Sequence, residues 1–149
     1  MWREKAPTDA RLDFISVESQ PLELEDLRRQ LKLWPDLKPL AESLLEQYPC
    51  LLSKGFHRLS FDNQRVNLTL IVDEPQSGLE GLQLSQHPLF SQPNAAIDAW
   101  YLDELPFSHT QDSTLDSLFS LMAILSRSGT TLCSNFESPR VESGLNTAG

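Results

Sequence analysis

Carboxylate side chains follow three of the apolar segments that the sequence predicts to be β-strands. They are Glu18 after LDFISV, Asp73 and Glu74 after VNLTLIV, and Asp103 after AIDAWYL. A carboxylate at the end of a strand can accept hydrogen bonds from sugar hydroxyls or amines, and it can take up a proton. The pattern therefore indicates a polar binding site that could also support proton transfer.

Each of these carboxylates has a candidate role and a plain structural alternative. Glu18 is placed like the acidic residue that binds ribose hydroxyls after the second strand of a doubly wound sheet. Asp73 and Glu74 could hold a second polar edge of the same nucleotide-like ligand. Asp103 could orient an amine nucleophile or accept its proton. A solvated strand end, a turn residue or a helix cap would explain the same residue types, so the residues leave both explanations open.

Hydrophobic periodicity predicts the elements that must position these carboxylates. Buried strands are predicted at Leu12–Val17 and Ala96–Leu102, and a β-hairpin at Phe56–Val72 with a polar turn at Asp62–Arg65. The other predicted segments are helices around Leu24–Leu31 and Leu37–Tyr48, a mostly irregular stretch at Pro75–Asn94 with a helical turn near Leu79–Leu84, a helix at Ser113–Ser126 capped by Ser113 and followed by Gly129, a strand at Thr130–Cys133, and a last helix from Pro139 through Leu145 capped by Ser138.

Strands and helices alternate in this order, which is typical of an α/β fold with a mainly parallel sheet and helices on both faces. Such sheets bind ligands beyond the carboxyl ends of their strands, where the acidic residues lie. The 149 residues predict one domain over 1–149. The 12 basic and 21 acidic residues give a net charge of -9, which excludes a protein that grips phosphate backbones with its whole surface.

Several classes of site and location are not indicated by the sequence. A glycine-rich phosphate loop is absent. Cys50 and Cys133 have the spacing of neither a zinc site nor a disulfide framework, so we expect two buried free thiols and no metal. The charged start MWREKAPTDAR does not resemble a secretory signal, and the longest apolar stretch is far shorter than the ~20 residues of a membrane span. A cytoplasmic protein without membrane contact is therefore expected.

Five collinear segments from about Arg11 to Gly149 resemble a known family. They are RLDFISVESQPL, LWPDLKPLAESLLEQYP, GFHRLSFDNQRVNLTL, IDAWYLDELP and LDSLFSLMAILSRSGTTL. Together they are similar to the methyltransferase domain of the bifunctional tRNA 5-methylaminomethyl-2-thiouridine biosynthesis proteins. That resemblance implies a Rossmann-like S-adenosylmethionine-dependent methyltransferase fold, usually fused to a flavin-dependent oxidoreductase domain that carries FAD.

The resemblance also implies roles for the acidic residues. Glu18 would bind the cofactor ribose, Glu74 with Asp73 would lie near its adenine, and Asp103 would be the catalytic carboxylate beside the substrate amine. The implied reaction is in-line transfer of a methyl group from the sulfonium of S-adenosylmethionine to the aminomethyl group of wobble 2-thiouridine in tRNA. The implied partners are tRNA and the oxidoreductase domain.

The chain departs from the family pattern in three places. The family has a glycine-rich cofactor loop upstream of the part that matches Arg11, and it continues past the last residues into two further strands and the oxidoreductase. We therefore expect a truncated, partial domain that lacks the central first strand and is inactive by itself. In the loop after Asp103, Glu104 stands in place of a glycine, His109 in place of a lysine and Thr114 in place of a tryptophan.

Other readings of the chain remain open. It could be a degenerate, non-catalytic scaffold of the same fold that binds a partner, or an unrelated acidic α/β binding domain. Because a missing central strand would leave strand edges unpaired, the sequence also predicts self-association through those edges.

Overall fold

The computed structural model describes residues 5–83, 97–102, 112–134 and 139–148. The chain folds into two compact units, Met1–Glu74 and Pro75–Gly149, called here the first and the second unit. A single domain over 1–149 stays a prediction. In chain order the described elements are β1 (Leu12–Glu18), α1 (Leu24–Leu31), a 3-10 turn (Pro35–Leu37), α2 (Lys38–Gln47), β2 (Gly55–Phe61), β3 (Val66–Val72), α3 (Pro75–Gln83), β4 (Ile97–Leu102), α4 (Asp112–Leu125), β5 (Ser126–Ser134) and α5 (Pro139–Ala148).

The first unit contains a three-stranded sheet in the order β1-β3-β2. β1 runs parallel to β3, with Leu12 opposite Val66 and Glu18 opposite Val72. β2 runs antiparallel to β3, so the predicted hairpin is confirmed, and Leu59 lies opposite Leu68. Because β1 and β3 are parallel and in this register, their carboxyl ends lie at the same edge of the sheet.

The hairpin is closed by the polar turn that the sequence predicts at Asp62–Arg65. Residues 62–64 all adopt left-handed backbone angles, with φ of 51, 54 and 66 degrees. Polar residues such as aspartate and asparagine tolerate this conformation better than most. The buried Asn67 stabilises the turn, because its amide donates to the Gln64 carbonyl at 3.1 Å and its oxygen accepts from the Ser60 hydroxyl at 2.9 Å.

Burial in the first unit is concentrated on the central strand. Leu70 and Ile71 of β3 are almost inaccessible to solvent, whereas Leu12 and Phe14 of β1 are 38% and 48% exposed. The prediction of a buried strand at Leu12–Val17 was therefore wrong about burial, although its position was right. β1 pairs with β3 alone among the described strands, and a strand with one neighbour and thinly covered faces cannot hide its apolar side chains.

The two helices that follow β1 form where the leucine spacing predicts them. α1 and α2 are separated by the 3-10 turn, which begins at Pro35 as expected for a proline at a first helical position. α2 ends at Gln47, and its C-cap residue Tyr48 donates its backbone N–H to the Leu44 carbonyl at 2.9 Å. Ala41 is the one buried residue of these helices, so they cover the unit by partial rather than complete burial.

The second unit contains a two-stranded parallel sheet of β4 and β5. Only Leu102 is fully buried in β4, so the predicted buried strand at Ala96–Leu102 forms but is mostly half-covered. The two parallel pairings of the described strands confirm the α/β class with parallel sheets. An insertion in β5 shifts the register, because Ile97 pairs with Ser126 but Ala99 pairs with Thr131.

A helix forms in the first part of the stretch that the sequence predicted to be mostly irregular after Pro75. α3 covers nine residues of the predicted Pro75–Asn94 stretch, and residues 84–94 lie outside the described part of the chain. Two glycines in a helix cost about 1 kcal/mol each relative to alanine. Burial of Leu79 and Leu82, on a helix that packs against α4, offsets that cost, and no local pattern reports this burial.

The boundaries of the later elements differ from the predicted ones by small amounts. α4 begins at Asp112, so Ser113 lies inside the helix and does not precede it. β5 begins at Ser126 directly after α4, and Gly129, predicted to end the helix, instead takes a φ of 90 degrees inside the strand insertion. The helix predicted through Leu145 extends to Ala148. Ser138, its predicted cap, lies outside the described residues.

The core of the second unit lies between α3, α4 and α5. Phe119 is 1% exposed and packs on Gly144, where the absence of a side chain lets α5 approach the ring. The other buried apolar residues of this core are Leu79, Leu82, Leu115, Leu118, Leu121, Met122, Leu125 and Val141. The longest helix in the described part of the chain has 14 residues, and none of those helices could cross a bilayer.

The two cysteines are exposed free thiols, which corrects the prediction that they would be buried. Cys50 follows Pro49 in the surface connection between α2 and β2. Cys133 lies near the end of β5, which pairs only with β4 among the described strands and is mostly exposed. Burial of a small thiol depends on what covers it, and in both places little does.

Candidate functional site

Three of the four predicted site residues lie at one edge of the sheet of the first unit. Glu18 is the last residue of β1 and lies opposite Val72, the last residue of β3. Asp73 follows β3 and donates its backbone N–H to the Glu18 carbonyl at 3.2 Å. Glu74 follows directly. We call Glu18, Asp73 and Glu74 the carboxylate rim.

The carboxylate of Glu18 is held in one orientation. The Ser16 hydroxyl donates to its Oε1 at 2.8 Å, because residues two apart on a strand point to the same side. The Glu18 side chain is exposed. Its other oxygen therefore faces solvent with acceptor capacity for the two hydroxyl donors of a ribose. An oriented and accessible carboxylate can accept hydrogen bonds from a polar ligand.

Asp73 is already engaged by neighbouring residues. Its Oδ1 lies 3.0 Å from the Lys54 ammonium and accepts the backbone N–H of Glu74 at 2.8 Å. These hydrogen bonds, led by the one from Lys54, hold the pKa of Asp73 below its ordinary value, against the opposing effect of partial burial. Glu74 is exposed. Of the two, Glu74 is thus the better placed to meet a ligand, while Asp73 ties the rim to β2.

Removal of the Lys54 cation is expected to raise the pKa of Asp73. In Lys54→Met the carboxylate loses its strongest hydrogen bond and an opposite charge. In the wild-type chain the depressed pKa of Asp73 stabilises the fold at pH values above the unfolded-state pKa. That contribution is lost as the pH falls through the folded-state pKa. The free energy of unfolding of the variant should therefore depend less on pH in the acid range. Carbon NMR titration of the Asp73 carboxyl measures the change. Lys32→Met, at an exposed position after α1, is the control and should leave the Asp73 pKa unchanged.

Three residues of this region were not singled out from the sequence, and they differ in how visible they were. Ser16 could have been found, because a two-residue spacing places it beside Glu18. Lys54 follows from the hairpin, since Gly55 pairs with Val72 and the preceding residue therefore faces Asp73. Tyr48 had no local signal, since its phenol donates to the carbonyl of Leu22, 26 residues away, at 2.7 Å.

The predicted catalytic residue, Asp103, lies outside the described residues, as do Glu104 and His109. β4 ends at Leu102, the residue before Asp103 in the sequence. The role of Asp103 therefore stays a prediction.

A cavity of about 440 Å³ in the second unit has a different character from the carboxylate rim. Its lining includes Trp100, Phe119, Met122 and Leu132, and no acidic side chain among the described residues lines it. The one charged residue of that lining, Arg127, is paired with Asp98. The Trp100 indole donates to the Ser126 hydroxyl, which in turn donates to the Met122 carbonyl, so these polar groups are satisfied within the protein. The described lining thus lacks the carboxylates that the predicted chemistry requires.

Longer curated proteins match the whole of this chain. A protein of Legionella pneumophila (strain Lens) is 36% identical over 100% of the chain and 22% of its own length. A protein of Ectopseudomonas mendocina is 42% identical over 98% of the chain and 20% of its own length. A protein of Pseudomonas syringae pv. tomato is 40% identical over 100% of the chain and 21% of its own length. All three are named tRNA 5-methylaminomethyl-2-thiouridine biosynthesis bifunctional protein MnmC, and the chain spans about a fifth of their length.

A family model described as S-adenosyl-L-methionine-dependent methyltransferase matches residues 35–149. The matched range includes Asp73, Glu74 and Asp103. Glu18 precedes this range, but the matches to the longer relatives include it. The match takes in well over half of the chain, and it agrees with an α/β structure whose sheets contain parallel strands and whose first sheet gathers acidic residues at its carboxyl edge. The chain therefore belongs to the S-adenosyl-L-methionine-dependent methyltransferase family.

Proposed function

We propose that this chain forms part of a tRNA-modifying methyltransferase that methylates the aminomethyl group of wobble 2-thiouridine. One observation carries the proposal: Glu18 and Asp73 are joined by a backbone hydrogen bond at the carboxyl edge of parallel strands. Ligands of open α/β sheets bind beyond that edge. The names of the longer relatives support tRNA as the substrate class.

In this proposal the carboxylate rim binds the nucleoside end of S-adenosylmethionine. Glu18 accepts hydrogen bonds from the ribose hydroxyls, with its carboxylate already oriented by Ser16. Glu74 offers a second acceptor near the adenine, and Asp73 fixes its backbone by accepting the Glu74 N–H. Because these groups are placed before the ligand arrives, little free energy is lost in ordering them on binding.

We assign Asp103 to the reacting end of the substrate. S-adenosylmethionine supplies a methyl group on a positively charged sulfur, and transfer forms an N–C bond as the S–C bond breaks. The Asp103 carboxylate would accept a hydrogen bond from the substrate amine, direct its lone pair at the methyl carbon, and receive the proton that the methylated amine releases. Alignment of two reactants can lower the barrier by about 7–11 kcal/mol, so positioning would supply most of the catalysis.

Proton–nitrogen NMR with S-adenosylmethionine as the titrant tests the cofactor site. Binding at the rim should move the amide signals of residues 16–20, 22 and 73–74, with saturation below about 1 mM. Signals of β5 in the second unit act as the internal control and should move less. Absence of shifts up to about 5 mM, or shifts confined to β5, would overturn the proposed cofactor site and leave a non-catalytic scaffold as the better description.

A radioactive transfer assay tests the reaction itself. S-adenosylmethionine with a tritiated methyl group is incubated with the chain and with tRNA that carries the aminomethyl group. The isolated chain is expected to be inactive by itself, so no label should appear in the wobble nucleoside. Label that did appear would overturn that expectation, and its loss in Asp103→Asn would support the assigned chemistry. Label that persists unchanged in Asp103→Asn would contradict the role of Asp103.

The partners follow from the same proposal. The net charge of -9 means that phosphate contacts to tRNA must be local or come from another domain. The part of the longer relatives beyond the matched fifth could hold the flavin-dependent oxidoreductase that would supply the free aminomethyl group. A tRNA substrate also implies a cytoplasmic location.

Self-association through the open edge of β1 is a further expected property. β1 exposes Leu12 and Phe14 and pairs only with β3 among the described strands, and such an edge is a template for another strand. Multi-angle light scattering should give a mass above 16.8 kDa that rises with concentration. Phe14→Lys should return it toward the monomer, and Leu51→Lys, at an 89% exposed position, should not. A wild-type monomer at every concentration would contradict this expectation.

A further inference from the structure

We infer that Tyr48 is a positioning residue for the cofactor site, because its phenol fixes the connection between β1 and α1 beside Glu18. The inference rests on the proposed function, since it assigns Tyr48 to the site that the carboxylate rim would form. It concerns a residue that lies far in the sequence from both Glu18 and Asp103.

The hydrogen bond of Tyr48 joins two parts of the first unit that are far apart in the chain. The phenol donates to the carbonyl of Leu22 at 2.7 Å. Tyr48 is the C-cap residue of α2, and Leu22 lies in the five-residue connection 19–23 that leaves the carboxylate rim and leads into α1. The end of α2 therefore acts as an anchor for that connection.

The electrostatics of Tyr48 agree with a phenol that lies close to the rim. Burial first, and the negative charge of Glu18 second, raise the pKa of Tyr48 above its ordinary value. The protonated phenol is the form that donates to Leu22. Because the folded-state pKa is raised, this hydrogen bond is fully present at neutral pH and is lost only as the pH rises through that pKa.

The position of the connection explains why its order should matter for binding. A nucleoside bound by Glu18 would contact the residues that follow Glu18 in the chain. Of these, Pro21 is half-buried and Leu22 is 46% exposed. A segment that is ordered before binding costs less conformational entropy when the ligand arrives. The hydrogen bond from Tyr48 supplies that order, because Glu23, the N-cap residue of α1, makes no side-chain cap hydrogen bond.

Tyr48→Phe removes the hydroxyl and keeps the ring. Two measurements are made on the full chain: hydrogen exchange of the amides of residues 19, 20, 22 and 23 without cofactor, and the dissociation constant of S-adenosylmethionine by NMR titration. The variant should exchange faster in that segment and bind the cofactor about 3- to 10-fold more weakly, as expected for one lost hydrogen bond. Its melting temperature should fall by no more than a few degrees. The matched control is Tyr101→Phe, at a 70% exposed position in β4, which should change none of these quantities.

The two measurements separate failure of this inference from failure of the proposed function. Faster exchange with an unchanged dissociation constant would overturn the positioning role and leave the cofactor site standing. Unchanged exchange would overturn the anchor itself. A wild-type chain that does not bind S-adenosylmethionine would overturn the proposed function and the role of Tyr48 with it.

A spectroscopic titration gives an independent readout. The chain has two tyrosines, so Tyr101→Phe leaves Tyr48 as the only phenol. Its absorbance change should have a midpoint above that of a free tyrosine, and Glu18→Gln in the same background should lower that midpoint by removing the nearby negative charge. A midpoint that does not respond to Glu18→Gln would show that the phenol is not beside the rim.

Discussion

Glu18→Gln is expected to weaken the binding of S-adenosylmethionine by about 10-fold or more. The substitution keeps the size of the side chain and an oxygen for the Ser16 hydroxyl, but it removes the charge that accepts the ribose hydrogen bonds. Hydrogen bonds to charged groups contribute about 1.5–3 kcal/mol each, which corresponds to roughly 10- to 150-fold in a dissociation constant. NMR titration or calorimetry with the cofactor measures the change.

A matched control separates a local loss from a change in total charge. Glu46→Gln makes the same chemical change on the exposed side of α2, and the dissociation constant should stay within about twofold of the wild-type value, because screened surface charges interact weakly. Equal weakening by both substitutions would mean that only net charge matters. An unchanged dissociation constant in Glu18→Gln would remove Glu18 from the site.

Phe119→Ala is expected to lower the free energy of unfolding by about 3–5 kcal/mol, the usual cost of deleting a buried aromatic ring. Phe119 is 1% exposed on α4 and packs on Gly144 of α5. Such a loss is a large part of the roughly 5–15 kcal/mol that stabilises a typical domain. Urea denaturation followed by circular dichroism measures it. Ile124→Ala on the same helix is the control, since Ile124 is 62% exposed and should cost less than about 1 kcal/mol.

The contact with Gly144 makes this prediction sharper. A Cβ at position 144 would overlap the Phe119 ring, so Gly144→Ala alone should destabilise the fold by about 1–3 kcal/mol. With Phe119→Ala already present, the ring is gone, and the same change should be neutral or stabilising because alanine favours the helix by about 1 kcal/mol. Additive effects in this double-mutant cycle would contradict the packing of α5 on α4.

Local chemistry made the first unit largely predictable from its sequence. The alternation from Phe56 to Val72 and the polar turn specify the hairpin, because side chains two residues apart share one face of a strand. The leucine spacing of α1 and α2 specifies two helices in the same way. Glu18 and Asp73 could be expected to meet, since the carboxyl ends of parallel strands lie at one edge. The roles of these carboxylates, and that of Asp103, stay predictions.

Burial was predicted less well, because it depends on residues far away in the chain. The apolar sequence of β1 indicates a strand, but only its neighbours decide how much of Leu12 and Phe14 they cover. The same reason explains the exposed Cys50 and Cys133. It also explains α3. The glycines of this segment predict a loop, but its leucines are buried where the helix packs against α4, and this burial stabilises the helix.

By itself, then, the sequence determined where the strands, the hairpin turn and the helices other than α3 lie, since their periodicity is a property of neighbouring residues. The tertiary structure decided that β1 pairs with β3 and β4 with β5, how far each strand is covered, and that Lys54 engages Asp73 while Tyr48 reaches Leu22. These contacts join residues 19 and 26 positions apart. The first follows from the register of the hairpin, whereas no local pattern encodes the second, because it forms only when separate elements pack together.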